Sequence, residues 1–207
     1  MEALVLVATL GLLGMLAVPS MARTRGSSEA AVCLGNLRQL LRAYQLYSLD
    51  NADRIIGDVV VAGPNGEQWH VTGAGGYWAG PFTRGTFGGM TPMAAMAEVE
   101  AGLRVGPLWK YAPEVSYSHC PADRRAEELR PGRGWAFDSY AIPSAMASGT
   151  WGVIAPFRRL VDVPEPSSTL VFVESCDPRG WSFGSWVFGD GSGGKAGWVD
   201  PLAAQHD

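Results

Sequence analysis

The sequence predicts an α+β fold, a long N-terminal α-helix with an apolar first half packed on a small antiparallel β-sheet head domain. Three observations predict it. Residues 3–22 carry no charged side chain. Residues 30–47 repeat apolar side chains at helical spacing. The remainder alternates short β-favouring runs with stretches rich in Gly, Pro and Asp. The chain divides into a stalk over residues 1–50, led by the apolar residues 1–22, and a β-rich head over residues 51–207.

The leading segment ALVLVATLGLLGMLAVPSMA is 20 residues long, the length an α-helix needs to cross a hydrocarbon core of about 30 Å. Arg23 and Arg25 follow it, whereas a cleaved secretory signal carries its positive charge ahead of the apolar run. A membrane-crossing or self-associating segment is the better reading. Glu2 stands at the mouth of the run, where a carboxylate needs a partner or a place at the interface. Gly11, Gly14 and Pro19 weaken the same segment, since Gly costs a helix interior about 1 kcal/mol and Pro about 3 kcal/mol relative to Ala.

An amphipathic helix follows. Ala30, Cys33, Leu34, Leu37, Leu40, Leu41, Tyr44 and Tyr47 recur at i, i+3, i+4 and i+7, with Arg38, Gln39, Arg42 and Gln45 opposite. The pattern stops near Asp50-Asn51. A helix over most of residues 1–50 is about 75 Å long at 1.5 Å per residue.

The head reads as short strands and loops. Val59–Val61, Trp69–Val71, Tyr140–Ile142, Thr169–Val173 and Trp186–Phe188 are β-favouring runs bounded by turn residues. A second helix is predicted around Pro92–Gly102, with Thr91 as its cap and Pro92 in its first turn. Residues 73–89 and 189–197 are Gly-rich loops without a nucleotide-cradling pattern. Charged residues make up only 17% and the net charge is −4, with no basic stripe, which excludes nucleic acid as a specific ligand. Cys33, Cys120 and Cys176 lie far apart, outside any CxxC spacing. His70, His119 and His206 are accompanied by no nucleophile elbow, no HExxH and no close acid pair, so no catalytic residues are assigned and the chain reads as not an enzyme.

At this point the residues carry a resemblance. The opening EALVLVATLGLLGMLAVPSMARTR resembles the N-terminal segment of type IV pilins and type II secretion pseudopilins, in which a Glu precedes an apolar helix and a Pro follows. Glu2 and Pro19 stand 17 positions apart. Further along, the chain is similar to pilin-like proteins with a prepilin-type N-terminal methylation segment, abundant in planctomycetes and verrucomicrobia. The matching elements are Cys33-Leu34-Gly35-Asn36-Leu37-Arg38-Gln39, Tyr44-Gln45-Leu46-Tyr47, Leu108-Trp109-Lys110-Tyr111, Cys120-Pro121-Ala122-Asp123, Ser139-Tyr140 and Pro166-Ser167-Ser168-Thr169-Leu170-Val171. Two departures stand out. Only Met1 precedes Glu2, so the leader and processing site of the family are not seen, and the family's D-G-H ending is not reached beyond His206-Asp207.

The resemblance implies a structural role as a subunit of a helical filament, a pilus or pseudopilus, assembled through the N-terminal segment. It implies a homo-oligomer handled by a pilus or secretion assembly machinery, held in the inner membrane before assembly and displayed at the cell surface afterwards. The assembly residues are then Glu2, neutralising the terminal amine of a neighbouring subunit, and Gly11, Gly14 and Pro19, marking a stretch that unwinds in the filament. The alternative is a membrane-anchored minor pseudopilin or surface binding module that forms no homopolymer. Cys33 and Cys120 are the candidate disulfide joining stalk to head, against two buried free thiols. No cofactor is implied, except that Asp177, Asp190 and Asp200 in Gly-rich loops offer oxygen ligands for Ca²⁺, as the major pseudopilins do near their C-terminal end.

The Glu2→Ala variant is expected to leave the head folded while lowering filament yield, because its partner lies on another copy. Wild-type filament yield by electron microscopy of Glu2→Ala cells overturns the pairing.

Overall fold

The computed structural model describes residues 28–56, 59–62, 68–71, 90–127, 137–147, 155–175, 185–186, 188–189, 197–198, 203 and 206. Its first element is helix α1, residues 28–50. Cys33, Asn36, Leu40, Ala43, Tyr44, Tyr47 and Ser48 are buried, so one face sits on the head, but Leu34 and Leu41, expected in the buried stripe, are exposed along with Arg38, Arg42 and Gln45. The helix ends in a turn. The Asn51 amide donates to the Tyr47 carbonyl at 3.0 Å and the Asp53 amide to the Ser48 carbonyl at 2.8 Å. Ala52 and Asp53 take left-handed conformations, with φ 54° and 67°, and Asp tolerates that region because its short side chain bonds locally. Here Asp53 Oδ2 accepts from the Val161 amide at 3.0 Å.

Helix α2 spans Pro92–Val105 and is capped as expected, Thr91 Oγ1 accepting from the Ala94 amide. Ala95, Val99 and Leu103 turn into the same core as α1. Arg104 pairs with Glu100 one turn back and lies over the Trp109 ring at 5.0 Å. Short 3₁₀ turns at Val115–Ser118, Arg125–Glu127, Ser144–Ala147 and Leu160–Asp162 carry the chain between these elements.

The strands are brief. β1 (Val59–Ala62) pairs antiparallel with β2 (Gln68–Val71). β3 (Tyr140–Pro143) lies between β4 (Val173–Glu174) and β5 (Ser185–Trp186), antiparallel to the first and parallel to the second. β6 (Phe188–Gly189) pairs antiparallel with β7 (Gly197–Trp198).

Two parts of the predicted architecture are corrected. The long N-terminal helix with an apolar first half is not found: among the described residues no helix is long and apolar enough to cross a membrane. The described helix α1 confines its burial to one face and carries Arg38 and Arg42 on the other, the pattern of a helix seated on protein rather than immersed in lipid. Residues 1–22, with Glu2, Gly11, Gly14 and Pro19, lie outside the described residues. The single small antiparallel sheet is likewise replaced by three separate ladders, one holding a parallel pair. Of Thr169–Val173 only Val173 enters a strand, and Trp186 and Phe188 belong to different ladders. Extended propensity in runs this short does not decide pairing, because what stabilises a strand is its cross-strand neighbours.

Tyr44 anchors α1. Its ring is fully buried, it meets Phe172 edge-on at 6.1 Å, and its hydroxyl donates to the Met146 carbonyl at 2.7 Å. Tyr44→Phe keeps the ring and strands that carbonyl, so it is expected to cost about 1–2 kcal/mol. Urea denaturation showing no loss contradicts this.

Candidate functional site

The site lies where α1 meets the head. Cys33 and Asn36 are one turn apart on the buried face of α1, so both point at the head. Asn36 Nδ2 donates to the carbonyls of Ser116 and His119 at 3.1 and 2.9 Å, which fastens the helix to the segment leading into Cys120. In the ladder, Tyr140 of β3 is the register partner of Glu174 of β4, and directly opposed residues project to the same face. Both reach Cys33: the Tyr140 hydroxyl donates to its sulfur at 3.1 Å, and the thiol donates to Glu174 Oε1 at 2.5 Å.

The fourth contributor comes from the end of the numbered chain. The Ala203 amide donates to the Glu174 carbonyl at 3.1 Å, and three residues later His206 Nε2 stands 3.3 Å from Cys120 Sγ and 3.4 Å from Glu174 Oε1. One ligand-type atom from each of Cys33, Cys120, Glu174 and His206 therefore converges, all within 4.8 Å of one another. The cysteines are 2% and 0% exposed, whereas the side chains of His206 and Glu174 retain 21% and 14%, which leaves access from one side. His206 Nδ1 is buried with no hydrogen-bond partner among the described residues.

Both thiols are held neutral in this arrangement. Burial pushes Cys33 strongly up, and its bond to Glu174 adds to that. Burial also raises Cys120, against the amides of Ala122 and Asp123 that point at its sulfur. That turn follows from the local sequence, because Pro121 pre-sets the chain after Cys120 and the Asp123 amide closes on the Cys120 carbonyl at 2.9 Å. An S₂NO set of this kind can hold a divalent cation once the thiols ionise, and two thiols can also join as a disulfide.

A second polar group supports the first. Asp123 is 1% and Asp138 2% exposed, and Arg125 is the cation beside both. Arg125 grips the Asp123 carboxylate through Nε at 3.0 Å and Nη2 at 2.6 Å, and Nη2 also donates to the Asp138 carbonyl at 2.9 Å. Burial raises Asp123, but the Arg125 bonds outweigh it and hold the carboxyl below its usual value. Burial pushes Asp138 up to about 7, the Arg125 charge opposing and the Asp123 charge reinforcing that. Its Oδ1 has no hydrogen-bond partner among the described residues.

Ser139, His119 and Asp123 also lie together, Ser139 Oγ standing 3.4 Å from His119 Nδ1. Ser139 Oγ is fully buried, donates to Asp123 Oδ2 at 2.7 Å and accepts from the Cys120 amide at 2.9 Å. His119 is stacked on Phe137 at 4.6 Å with Nδ1 2.7 Å from the Phe137 carbonyl.

Of the residues singled out in the sequence, Cys33 and Cys120 are brought together as free thiols. Glu2, Gly11, Gly14, Pro19, Asp177, Asp190 and Asp200 lie outside the described residues, as does the His70 side chain. His206 joins the cysteines, and Glu174 was missed altogether. Its signal is a carboxylate closing the apolar run Leu170–Val173. No family model, no curated protein and no solved structure matches this chain.

Because Asp138 binds its proton more tightly folded than unfolded, the native state keeps a proton between about pH 4 and pH 7 that the unfolded chain has lost, and stability falls as pH rises through that window. Asp138→Asn removes this dependence. Its stability relative to wild type is expected to grow from pH 4 to pH 7, reaching on the order of 2–4 kcal/mol. A pH-independent difference in urea denaturation contradicts the assignment.

Proposed function

We propose that this chain is a structural subunit of a helical filament of the type IV pilus or pseudopilus class, non-catalytic and polymerised with copies of itself. The uncharged residues 3–22 supply the shared apolar contact and wait in the inner membrane before assembly, and the head is displayed outward at the cell surface. Glu2 at the mouth of that run provides the charge a neighbouring copy neutralises.

One observation supports this reading: α1 keeps leucines on its exposed side, interspersed with Arg38, Arg42 and Gln45. Leu34, Leu41, Leu46 and Leu49 are 49%, 37%, 46% and 77% exposed. Burying apolar surface is worth roughly 25 cal/mol per Å², and a second copy stacked along the same helix is the occupant that repeats at every subunit. The outer face continues from the uncharged run in sequence, so a neighbour gripping residues 3–22 is also placed to cover it.

Leu41→Arg combined with Leu49→Arg is expected to leave the head folded and to reduce filament yield at least about tenfold, since each leucine fully buried contributes about 1.5–3 kcal/mol. Deleting residues 1–25 is expected to give a soluble head. A full chain that stays monomeric in detergent-free buffer, or a double variant that polymerises like wild type, overturns the reading.

A further inference from the structure

We infer that Cys33, Cys120, Glu174 and His206 form a structural zinc site that staples α1 to the head. The site is independent of whether the chain polymerises. The donor atoms are two sulfurs, one imidazole nitrogen and one carboxylate oxygen, a borderline-soft set that suits Zn²⁺ and disfavours the oxygen-seeking Ca²⁺ and Mg²⁺. Four protein ligands fill a tetrahedron, which makes the site structural rather than catalytic.

The geometry agrees with the size of the ion. Around tetrahedral zinc, bonds of about 2.0–2.3 Å put neighbouring ligand atoms about 3.3–3.8 Å apart. Here the Cys120 sulfur and His206 Nε2 are 3.3 Å apart, His206 Nε2 and Glu174 Oε1 are 3.4 Å apart, and all four atoms fall within 4.8 Å. The Cys33 to Glu174 contact, at 2.5 Å, opens when the ion enters.

The surroundings are those of a thiolate site. The Tyr140 hydroxyl donates to the Cys33 sulfur at 3.1 Å. Such a donor orients the ligand and spreads the charge of a bound thiolate. A disulfide between the two cysteines uses neither the carboxylate nor the imidazole, yet both are carried in from separate segments, the imidazole from residue 206. On binding, each thiol releases its proton to solvent, and Zn²⁺ takes up two thiolates, one carboxylate and one neutral imidazole.

The test uses the full chain in detergent, in a Cys176→Ser background so that only the two site thiols respond. Purified with reductant from zinc-supplemented cells, it is expected to hold about one zinc per chain by elemental analysis. Cobalt replacement is expected to give a thiolate-to-cobalt charge-transfer band. A thiol reagent should find both cysteines protected until a chelator removes the metal. His206→Ala and Glu174→Gln, which leave the thiols in place, should each weaken zinc binding by at least about tenfold while circular dichroism stays unchanged. Cys33→Ser should abolish the cobalt band. Metal well below one equivalent with no charge-transfer band overturns the site, as does full affinity in the His206 and Glu174 variants. A Cys33–Cys120 disulfide in protein isolated without reductant from its own compartment overturns it equally.

Discussion

Everything described in this chain rests on how one face of α1 is covered. That face is not purely apolar: Cys33, Asn36 and Ser48 lie in it beside Leu40, Tyr44 and Tyr47, all buried. Each polar member needs a partner, since an unsatisfied buried group costs about 1–3 kcal/mol. Ser48 turns back to the Tyr44 carbonyl within the helix at 3.2 Å. Asn36 and Tyr44 instead reach carbonyls 80 or more residues away, and Cys33 reaches Glu174 across 141 residues. The helix is therefore docked in one rotation and one register. A slide of one turn along the head unpairs Asn36, Tyr44 and Cys33 together.

The constraint passes from the helix into the head through a relay of backbone bonds. The Ser139 amide donates to the Ser118 carbonyl and the Ser175 amide to the Ser139 carbonyl, both at 2.9 Å, so the segments carrying Cys120, Tyr140 and Glu174 move as one. Beneath them Arg125 serves two buried carboxyls with a single charge. Two carboxylates and one guanidinium leave a net negative charge in a space that excludes water, and the arrangement resolves it by holding Asp123 ionised through its bonds from Arg125 while Asp138 takes the proton. Burial selects which acid stays charged.

The local features were legible in the sequence and the long-range ones were not, for reasons visible in particular residues. The buried stripe of α1 and the Thr91 cap of α2 follow from spacings of three and four residues, a range over which backbone geometry dictates neighbours. The stop of α1 near Asp50-Asn51 was legible because Asn and Asp favour turn conformations. The strands were not. Trp186 and Phe188 lie two residues apart and belong to different ladders, and nothing in their local propensity distinguishes the partners. The candidate site shows the same divide. Cys33 and Cys120 stand in recognisable local patterns, while Glu174 and His206 join them only because the β3–β4 register and the Ala203 amide bring two further segments to the same point.

The pattern of ladders also explains why the junction between helix and head matters so much for stability. Two-stranded pieces are marginal by themselves in water, and among the described residues no ladder exceeds three strands. Among the described residues, side chains that tie distant segments to α1 add to what these short strands hold. Cross-links acting between segments far apart in sequence restrict the unfolded chain most. Cys33, Cys120, Glu174 and His206 are far apart in sequence, and a single ion joining them would close three long loops at once. A metal or a covalent bridge at that point does for this head what a continuous sheet does for a larger domain. Its four contributors accordingly sit in a buried junction between segments and not in an open cleft.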